Sequence, residues 1–327
     1  MAPKKAVAKA GPDEGKTQQS AGQNIEGTTS NGEKLVKKRK QASDAGDPQK
    51  APRRSGRGES KAQPSQEQLL QYMLSQDAEE LCRPDEESED IRSRGNIKTY
   101  SSDVMNPFEE LLSAVILSRP ISHRLGLRTI RTIFNEPYNF TSAKAVQQAG
   151  QEKHHQAVWD ARTQHKAKTA EEIGQIANVV LEKFTTSSDK DGMQLQKLLD
   201  DSGNDVDKAL DTLKASIKGL GETGIKIFLR RVQWLWTSGY PYIDDRTMQS
   251  LGKLSLPEDA EELEGLIAKH WSKYDEKRLA GDNEAAKKRR AFVTVLERAI
   301  GADLEGKVDN LLAAAGEQPV AKLPLAF

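Results

Sequence analysis

The chain has 327 residues, and only 36% of them are hydrophobic, so part of it is expected not to fold. Its 49 Lys and Arg residues balance its 49 Asp and Glu residues, so the formal net charge is zero. Its single cysteine, Cys82, excludes an internal disulfide, a cysteine-based zinc site and an iron–sulfur cluster. The absence of a long apolar run or a secretory signal predicts an intracellular protein with no membrane span.

Residues 1 to about 65 form a basic arm that is poor in large apolar residues. Residues 1–61 contain 14 Lys and Arg against 7 Asp and Glu, so the remainder of the chain is mildly acidic. We expect this arm to be disordered, because it cannot bury enough apolar surface to offset the entropy of ordering. Its clusters "KKRK" at 37–40 and Arg53–Arg54 resemble a two-part nuclear import signal, which predicts nuclear localisation and an import receptor as partner. The alternative is a solvated tail that contacts nucleic acid.

Residues 66–105 are interpreted as a linker. They contain one short helical candidate, "QEQLLQYML", followed by the acidic run "PDEESED". A folded body is expected from residue 106 to residue 315, with a short tail at 316–327.

The folded body begins with the strongest helix signal in the chain, "NPFEELLSAVIL". Asn106 suits the N-cap, Pro107 the first helical position, and Glu109 the acidic position of a capping box. The apolar residues then recur on one helical face at Phe108, Leu111, Leu112, Val115 and Ile116.

Further helices are predicted by the same periodicity, and no segment alternates like a strand, so the body is expected to be all-α. These helices lie around Ile121–Phe134, Ala170–Phe184, Met193–Leu199, Val206–Ile217, Gly224–Trp236, Arg246–Leu254, Ala260–Lys273, Ala291–Ala299 and Leu304–Ala315. The cluster "KKRR" at 287–290 is interpreted as an extension of a DNA footprint or a further import signal.

The segment "ASIKGLGETGIKIFLRRV" predicts two helices joined by a tight turn. An apolar stripe ends at Lys218, and a second one starts at Ile225, with Gly219-Leu220-Gly221 between them. The glycines remove two Cβ atoms from the turn, and Leu220 can fill the groove between the helices. The free amides at the start of the second helix form a site for an anion such as a DNA phosphate, to which Lys226 can add charge. The alternative is a plain corner between two helices.

Three segments in this order resemble the helix-hairpin-helix DNA glycosylase superfamily (the HhH-GPD proteins). They are "NPFEELLSAVILSRPISHRLGLRTIRTIF", "IKGLGETGIKIFLRRV" and "YPYIDDRTMQSL", and "TQHKAKTAEEIGQIA" resembles the start of that family's middle helix. The resemblance covers Asn106 to Leu254 and indicates no subfamily. It implies a monomer of two helical lobes, one of about residues 121–240 and one from flanking segments. It also implies double-stranded DNA with a lesion or mismatch as partner.

The resemblance implies a catalytic aspartate after the hairpin, and two adjacent residues fit. Asp245 is preferred, because Met248 and Leu251 follow it at the apolar spacing of the family, and Asp244 is the second choice. Such a carboxylate stabilises the positive charge that develops on the sugar when the base leaves. The alternative is a helix N-cap beside a surface acid.

The resemblance also assigns DNA contacts. At the hairpin they are Gly219, Leu220, Gly221, Thr223, Gly224 and Lys226. In the segment that enters the duplex the family's glutamine is not present, but Arg119 or Pro120 can still enter a base stack as a wedge, and Ser122 is a candidate cleft residue. The position that holds a lyase lysine in some members is Thr223 here, so we expect a monofunctional glycosylase. No cofactor is expected beyond a monovalent cation at the hairpin carbonyls.

Two other functions remain open from the sequence. Arg119 and Pro120 replace the family's usual glutamine. The acidic body and the segment 258–290 also depart from the pattern of the family. These features favour a non-catalytic DNA-binding member as the first alternative. A helical structural protein is the second. The sequence points to no particular base as substrate.

Overall fold

The computed structural model describes residues 63–317, and this part of the chain is all-helical, as the sequence predicts. It contains thirteen α-helices and four short 3₁₀ helices, with no strand between residues 63 and 317. The basic arm up to residue 62, with its predicted import signal, and the tail from 318 lie outside the described residues.

The α-helices are numbered in chain order. They are α1 (Gln66–Met73), α2 (Asp85–Arg94), α3 (Pro107–Leu117), α4 (His123–Phe134), α5 (Ala143–Asp160), α6 (Lys166–Lys183), α7 (Gln196–Asp201), α8 (Val206–Ser216), α9 (Glu222–Val232), α10 (Asp245–Lys253), α11 (Ala260–Lys269), α12 (Glu284–Leu304) and α13 (Val308–Glu317).

The linker interpretation of residues 66–105 is wrong, because this segment contains α1 and α2. Ser65 and Gln68 form a capping box at the start of α1, and Leu69, Leu70 and Met73 are buried. The acidic run starts α2 with three acids in its first turn. Acidic residues there interact favourably with the helix dipole, so this charge run stabilises a helix.

The predicted helix at the start of this segment is confirmed, but the folded part of the chain begins earlier, at α1, and one long helix was missed. Asn106 and Glu109 form the expected capping box at α3, with Oδ1 of Asn106 accepting from the Glu109 amide at 3.0 Å. The unpredicted helix is α5, in which Gly150 adopts φ +75° and kinks the axis. That interruption and many polar residues obscure its periodicity. The structure also extends α12 well beyond the predicted residues 291–299.

The buried apolar side chains form two clusters. The first core draws its residues from positions 100 to 236, and the second from positions 69–82 and 251–315. The second is therefore assembled from segments on both sides of the first in sequence. Helix α3 packs in the first core against α9 and α4, although the resemblance assigned residues before 121 to the other lobe.

Buried ion pairs link α9 to α12 of the second core and to α3 of the first. Arg230 on α9 donates from Nε to Glu297 on α12 at 2.6 Å. Arg231 donates from Nε to both carboxylate oxygens of Glu110 on α3, at 2.9 and 3.1 Å. Breaking one partner of such a buried pair is strongly destabilising, so these contacts fix the position of α9 relative to α3 and α12.

Candidate functional site: a cleft beside a helical hairpin

A cleft of about 470 Å³ opens beside the first turns of α9. It brings together the end of α3, the start of α4, α9, the start of α10 and the end of α12. Its walls are apolar at Leu117, Ile121, Ile227, Ile300 and Leu304, and polar at His123, Thr223, Lys226, Arg230, Asp244, Asp245 and Arg246. Apolar walls with a few convergent polar groups are typical of binding sites for organic ligands.

The hairpin between α8 and α9 is built around glycines, as the sequence predicts. Gly219 adopts φ +90°, a conformation that a side chain disfavours. Leu220 is 4% exposed and occupies the groove between the helices. A Cβ on Gly224 would come within 2.7 Å of Cδ1 of Leu220 and 3.2 Å of Oγ of Ser118. Leu220 and Gly224 therefore serve the packing of the turn, and a contact of either residue with DNA stays a prediction.

The outer face of the turn is open to solvent. Gly219, Gly221 and Thr223 are exposed, and a Cβ built on Gly221 has no heavy atom within 4 Å. No side chain caps the N-terminus of α9. The first amides of a helix have no partner within the helix, so those of α9 are available to an anion from outside.

A carboxylate lies under the same turn. Oε1 of Glu172 on α6 is 3.3 Å from the position that a Cβ of Gly219 would take. Arg119 pairs with this carboxylate and also donates to Thr169, and its side chain is only 14% exposed. The guanidinium of Arg119 is held by Glu172 and neutralises a charge beneath the hairpin, and a contact of this residue with DNA stays a prediction.

The two other residues predicted to enter the duplex lie at the surface. Pro120 is exposed, and Ser122 is the N-cap of α4, where its hydroxyl accepts a hydrogen bond from the amide of Leu125 at 3.3 Å. A capping role leaves the other side of the Ser122 hydroxyl open to solvent. Their role in DNA binding stays a prediction.

Asp244 is a structural group at the start of α10. It is 5% exposed, and its Oδ1 accepts from the amides of Arg246 at 3.0 Å and Thr247 at 3.1 Å. Its Oδ2 accepts from Arg230 at 2.8 Å and from the Thr247 hydroxyl at 2.8 Å. Burial would raise the pKa of Asp244, but the Arg230 guanidinium and these hydrogen bonds outweigh burial and lower it.

Asp245, the preferred catalytic residue, projects into the open cleft. Its side chain is 78% exposed and its Oδ2 accepts from Nζ of Lys226 at 2.7 Å. The hydrogen bond to this carboxylate raises the pKa of Lys226, so the ammonium stays protonated at neutral pH. Thr223, which occupies the position of the lyase lysine in the resemblance, lines the same cleft.

Arg230 and His123 are among the cleft residues that were not assigned a site role from the sequence. Arg230 orients Asp244 from within α9, and two consecutive arginines beside Phe228, Leu229 and Val232 are the signal that could have indicated a buried ion pair. His123 lines the cleft, and burial lowers its pKa, which favours a neutral imidazole at pH 7.

No protein-family model, no curated protein and no solved structure matches this chain. Among residues 63–317, no three His, Cys, Asp or Glu side chains are arranged to hold a metal ion. None of the described helices is both long and apolar enough to cross a bilayer. The proposed cation at the hairpin carbonyls stays a prediction.

Proposed function

We propose that this protein is a DNA-binding base excision repair protein, a monofunctional DNA N-glycosylase of the helix-hairpin-helix type. It would act on duplex DNA that contains a damaged or mispaired base. One observation carries the proposal: the cleft holds the exposed carboxylate of Asp245 directly beside the second helix of a glycine-built hairpin with an open turn.

The carboxylate has the chemistry that breaking an N-glycosidic bond requires. As the base leaves, the sugar gains positive charge at C1′, and an ionised carboxylate close to it stabilises that charge. The electron pair of the broken N–C1′ bond leaves with the base, which takes up a proton from solvent. A water then adds to C1′, and its proton passes to a carboxylate or to solvent. Asp245 is open enough to contact a nucleotide turned out of the helix, whereas Asp244 is occupied by its cap and by Arg230.

Lys226 gives the site a way to respond to DNA. In the free protein its ammonium pairs with Asp245 at 2.7 Å. A phosphate beside the hairpin would compete for this ammonium and release the carboxylate toward the sugar. The raised pKa of Lys226 also disfavours a Schiff base, which needs a neutral amine. Both points support base release without strand cleavage.

The hairpin supplies the DNA contact in this proposal. Its exposed turn and the uncapped N-terminus of α9 present amides that can bind a phosphate oxygen. The Glu172 carboxylate beneath the turn would repel a phosphate if it were alone, but Arg119 neutralises it. Binding through a phosphate predicts an affinity that falls with rising salt.

A second candidate is a DNA-binding protein of the same type without glycosylase activity. The pairing of Asp245 with Lys226 and the pairing of Arg119 with Glu172 favour it. In that case the Asp245–Lys226 pair stays intact when the protein binds DNA, and no side chain fills the space that a flipped base leaves.

The deciding experiment compares Asp245→Asn with the wild-type protein on a panel of duplexes that carry damaged or mispaired bases. Asp207→Asn is the matched control, since Asp207 is an exposed acid in the first turn of α8, as Asp245 is in that of α10. We expect base release by the wild type and the control, and a loss of about 100-fold or more in the Asp245 variant. Binding without base release by any of the three supports the second candidate.

The DNA contact is tested separately with Gly221→Ala. The turn tolerates this methyl group, because Gly221 has a negative φ and open space around it, yet the methyl lies where a phosphate would approach. We expect the dissociation constant for duplex DNA to rise about tenfold or more. Gly265→Ala, in an equally open position on α11, should bind as the wild type does. Equal affinities for all three proteins would exclude the hairpin as the contact.

A further inference from the structure

A second cavity, of about 260 Å³, lies apart from the cleft and is rich in arginine. Arg231, Arg278, Arg290 and Arg298 contribute to its walls, together with small hydroxyl side chains that include Ser101 and Ser102. The carboxylates of Glu79 and Glu297 line the same cavity, so the four guanidinium groups require an account of which charges are already balanced.

Three of the four arginines have carboxylate partners. Arg231 pairs with Glu110 at 2.9 Å, Arg278 with Asp275 at 3.1 Å, and Arg298 with Glu79 at 3.2 Å. Each of these contacts is within hydrogen-bonding distance, so these guanidinium groups are at least partly neutralised.

Arg290 has no such partner among the described residues. It is 7% exposed, and its Nη1 is buried without a hydrogen bond. The ring of Trp234 lies beside it, with its centroid 5.7 Å from the guanidinium carbon. Arg290, the last residue of the cluster "KKRR" at 287–290, is therefore buried, and the interpretation of that cluster as part of a DNA footprint or as an import signal stays a prediction.

The charge on Arg290 persists despite burial. Burial lowers the pKa of Arg290 to about 10, and the neighbouring Arg231 and Arg298 lower it as well. Glu110 and Glu297 act in the opposite direction without forming an ion pair with Arg290. The group is thus still protonated at neutral pH. A buried charge without a direct partner is costly, and proteins normally pair it or use it to bind a ligand.

A second unpaired donor belongs to the same cavity. Nη2 of Arg231 is buried and has no hydrogen-bond partner, although the Nε of this residue is engaged with Glu110. Two cavity-lining guanidinium groups thus each retain a free donor nitrogen. Guanidinium donors match the oxygens of phosphate in geometry and charge.

We propose that this cavity binds a small phosphate monoester, with its oxyanion at Arg290 and Arg231. The volume exceeds what a phosphate group alone needs, since one water takes up about 30 Å³ of liquid, so a short polyol or sugar part also fits. The hydroxyls of Ser101 and Ser102 can bind the alcohol groups of that part. The site uses none of the cleft residues Asp245, Lys226 or Gly221.

The test measures binding of glycerol 3-phosphate and inorganic phosphate by calorimetry at constant ionic strength, with thermal unfolding as a second readout. The wild type should bind the monoester saturably and unfold at a higher temperature in its presence. Arg290→Met should weaken binding at least about tenfold, because it removes a charged hydrogen-bond donor. Arg92→Met, which removes an exposed arginine on α2, should behave as the wild type.

Two further measurements guard against a misfolded variant and identify the source of the phosphate. Arg290→Lys keeps the positive charge but loses the planar pair of guanidinium donors, so it should bind the monoester more weakly than the wild type while remaining folded. A 5′-phosphorylated oligonucleotide that competes with glycerol 3-phosphate would point to a strand end as the ligand, and no competition would point to a free metabolite. Absence of saturable binding to the wild type, or equal binding by Arg290→Met, would overturn the proposal. Gly221→Ala should leave monoester binding unchanged, which separates this site from the hairpin.

Discussion

The adjacent residues Asp244 and Asp245 should respond very differently to substitution. Asp244→Ala removes the N-cap of α10 and a buried partner of Arg230, whereas Asp245→Ala removes an exposed carboxylate with a single surface partner. The sequence places the two acids side by side, so the comparison isolates what their surroundings contribute.

The magnitude for Asp244→Ala follows from its contacts. Loss of the cap costs about 1 kcal/mol. Loss of one partner in a buried pair costs about 3–5 kcal/mol, and the lower end applies because Arg230 keeps Glu297 at 2.6 Å. The two terms share atoms, so we expect a decrease of about 3–4 kcal/mol in the free energy of unfolding. For Asp245→Ala we expect no resolvable decrease, since solvent screens its pair with Lys226.

Urea unfolding followed by tryptophan fluorescence measures both variants against the wild type. The pH dependence supplies a second check with a defined sign. The pKa of Asp244 is lower in the folded protein, so its contribution is complete above its unfolded pKa of about 3.9 and is lost as the pH falls through the folded pKa. The difference between wild type and Asp244→Ala should therefore shrink below about pH 4. Equal losses for the two variants, or a difference that stays constant down to pH 3, would refute this reasoning.

Two other expectations follow from close packing near Cys82. Gly301→Ala on α12 would place its Cβ 2.1 Å from the backbone oxygen of Cys82, so the free energy of unfolding should fall by about 1–3 kcal/mol. As a control, Gly265→Ala on α11 has open space around it and should raise the free energy of unfolding by up to about 1 kcal/mol. A Gly301→Ala variant that is more stable than the wild type in urea unfolding would contradict the packing. Burial raises the pKa of the Cys82 thiol to about 12, so a thiol reagent should label the native protein far more slowly than the urea-unfolded chain, and equal rates would show that the thiol is accessible.

Local signals in the sequence were sufficient for the elements that begin or end sharply. The α3 capping box and the glycine turn before α9 involve residues within a few positions of each other, so the sequence alone indicates them. Helices α1 and α2 were assigned to a linker. The burial of α1 in the second core depends on residues nearly 200 positions away, and α2 is an acidic helix whose buried residues are Glu87 and Ser88. Helix α5 was missed because Gly150 interrupts its periodicity.

The sequence by itself determined an all-helical body, its hairpin and a pair of acids at the start of α10. Only the tertiary structure decided which charges are free, because the partners come from distant segments. Asp244 meets Arg230 and leaves Asp245 in the cleft, Arg119 meets Glu172 across 53 positions, and Arg290 is buried without a carboxylate. The sequence specifies the position of a charged side chain along the chain, but the fold determines its solvation and its counter-charge.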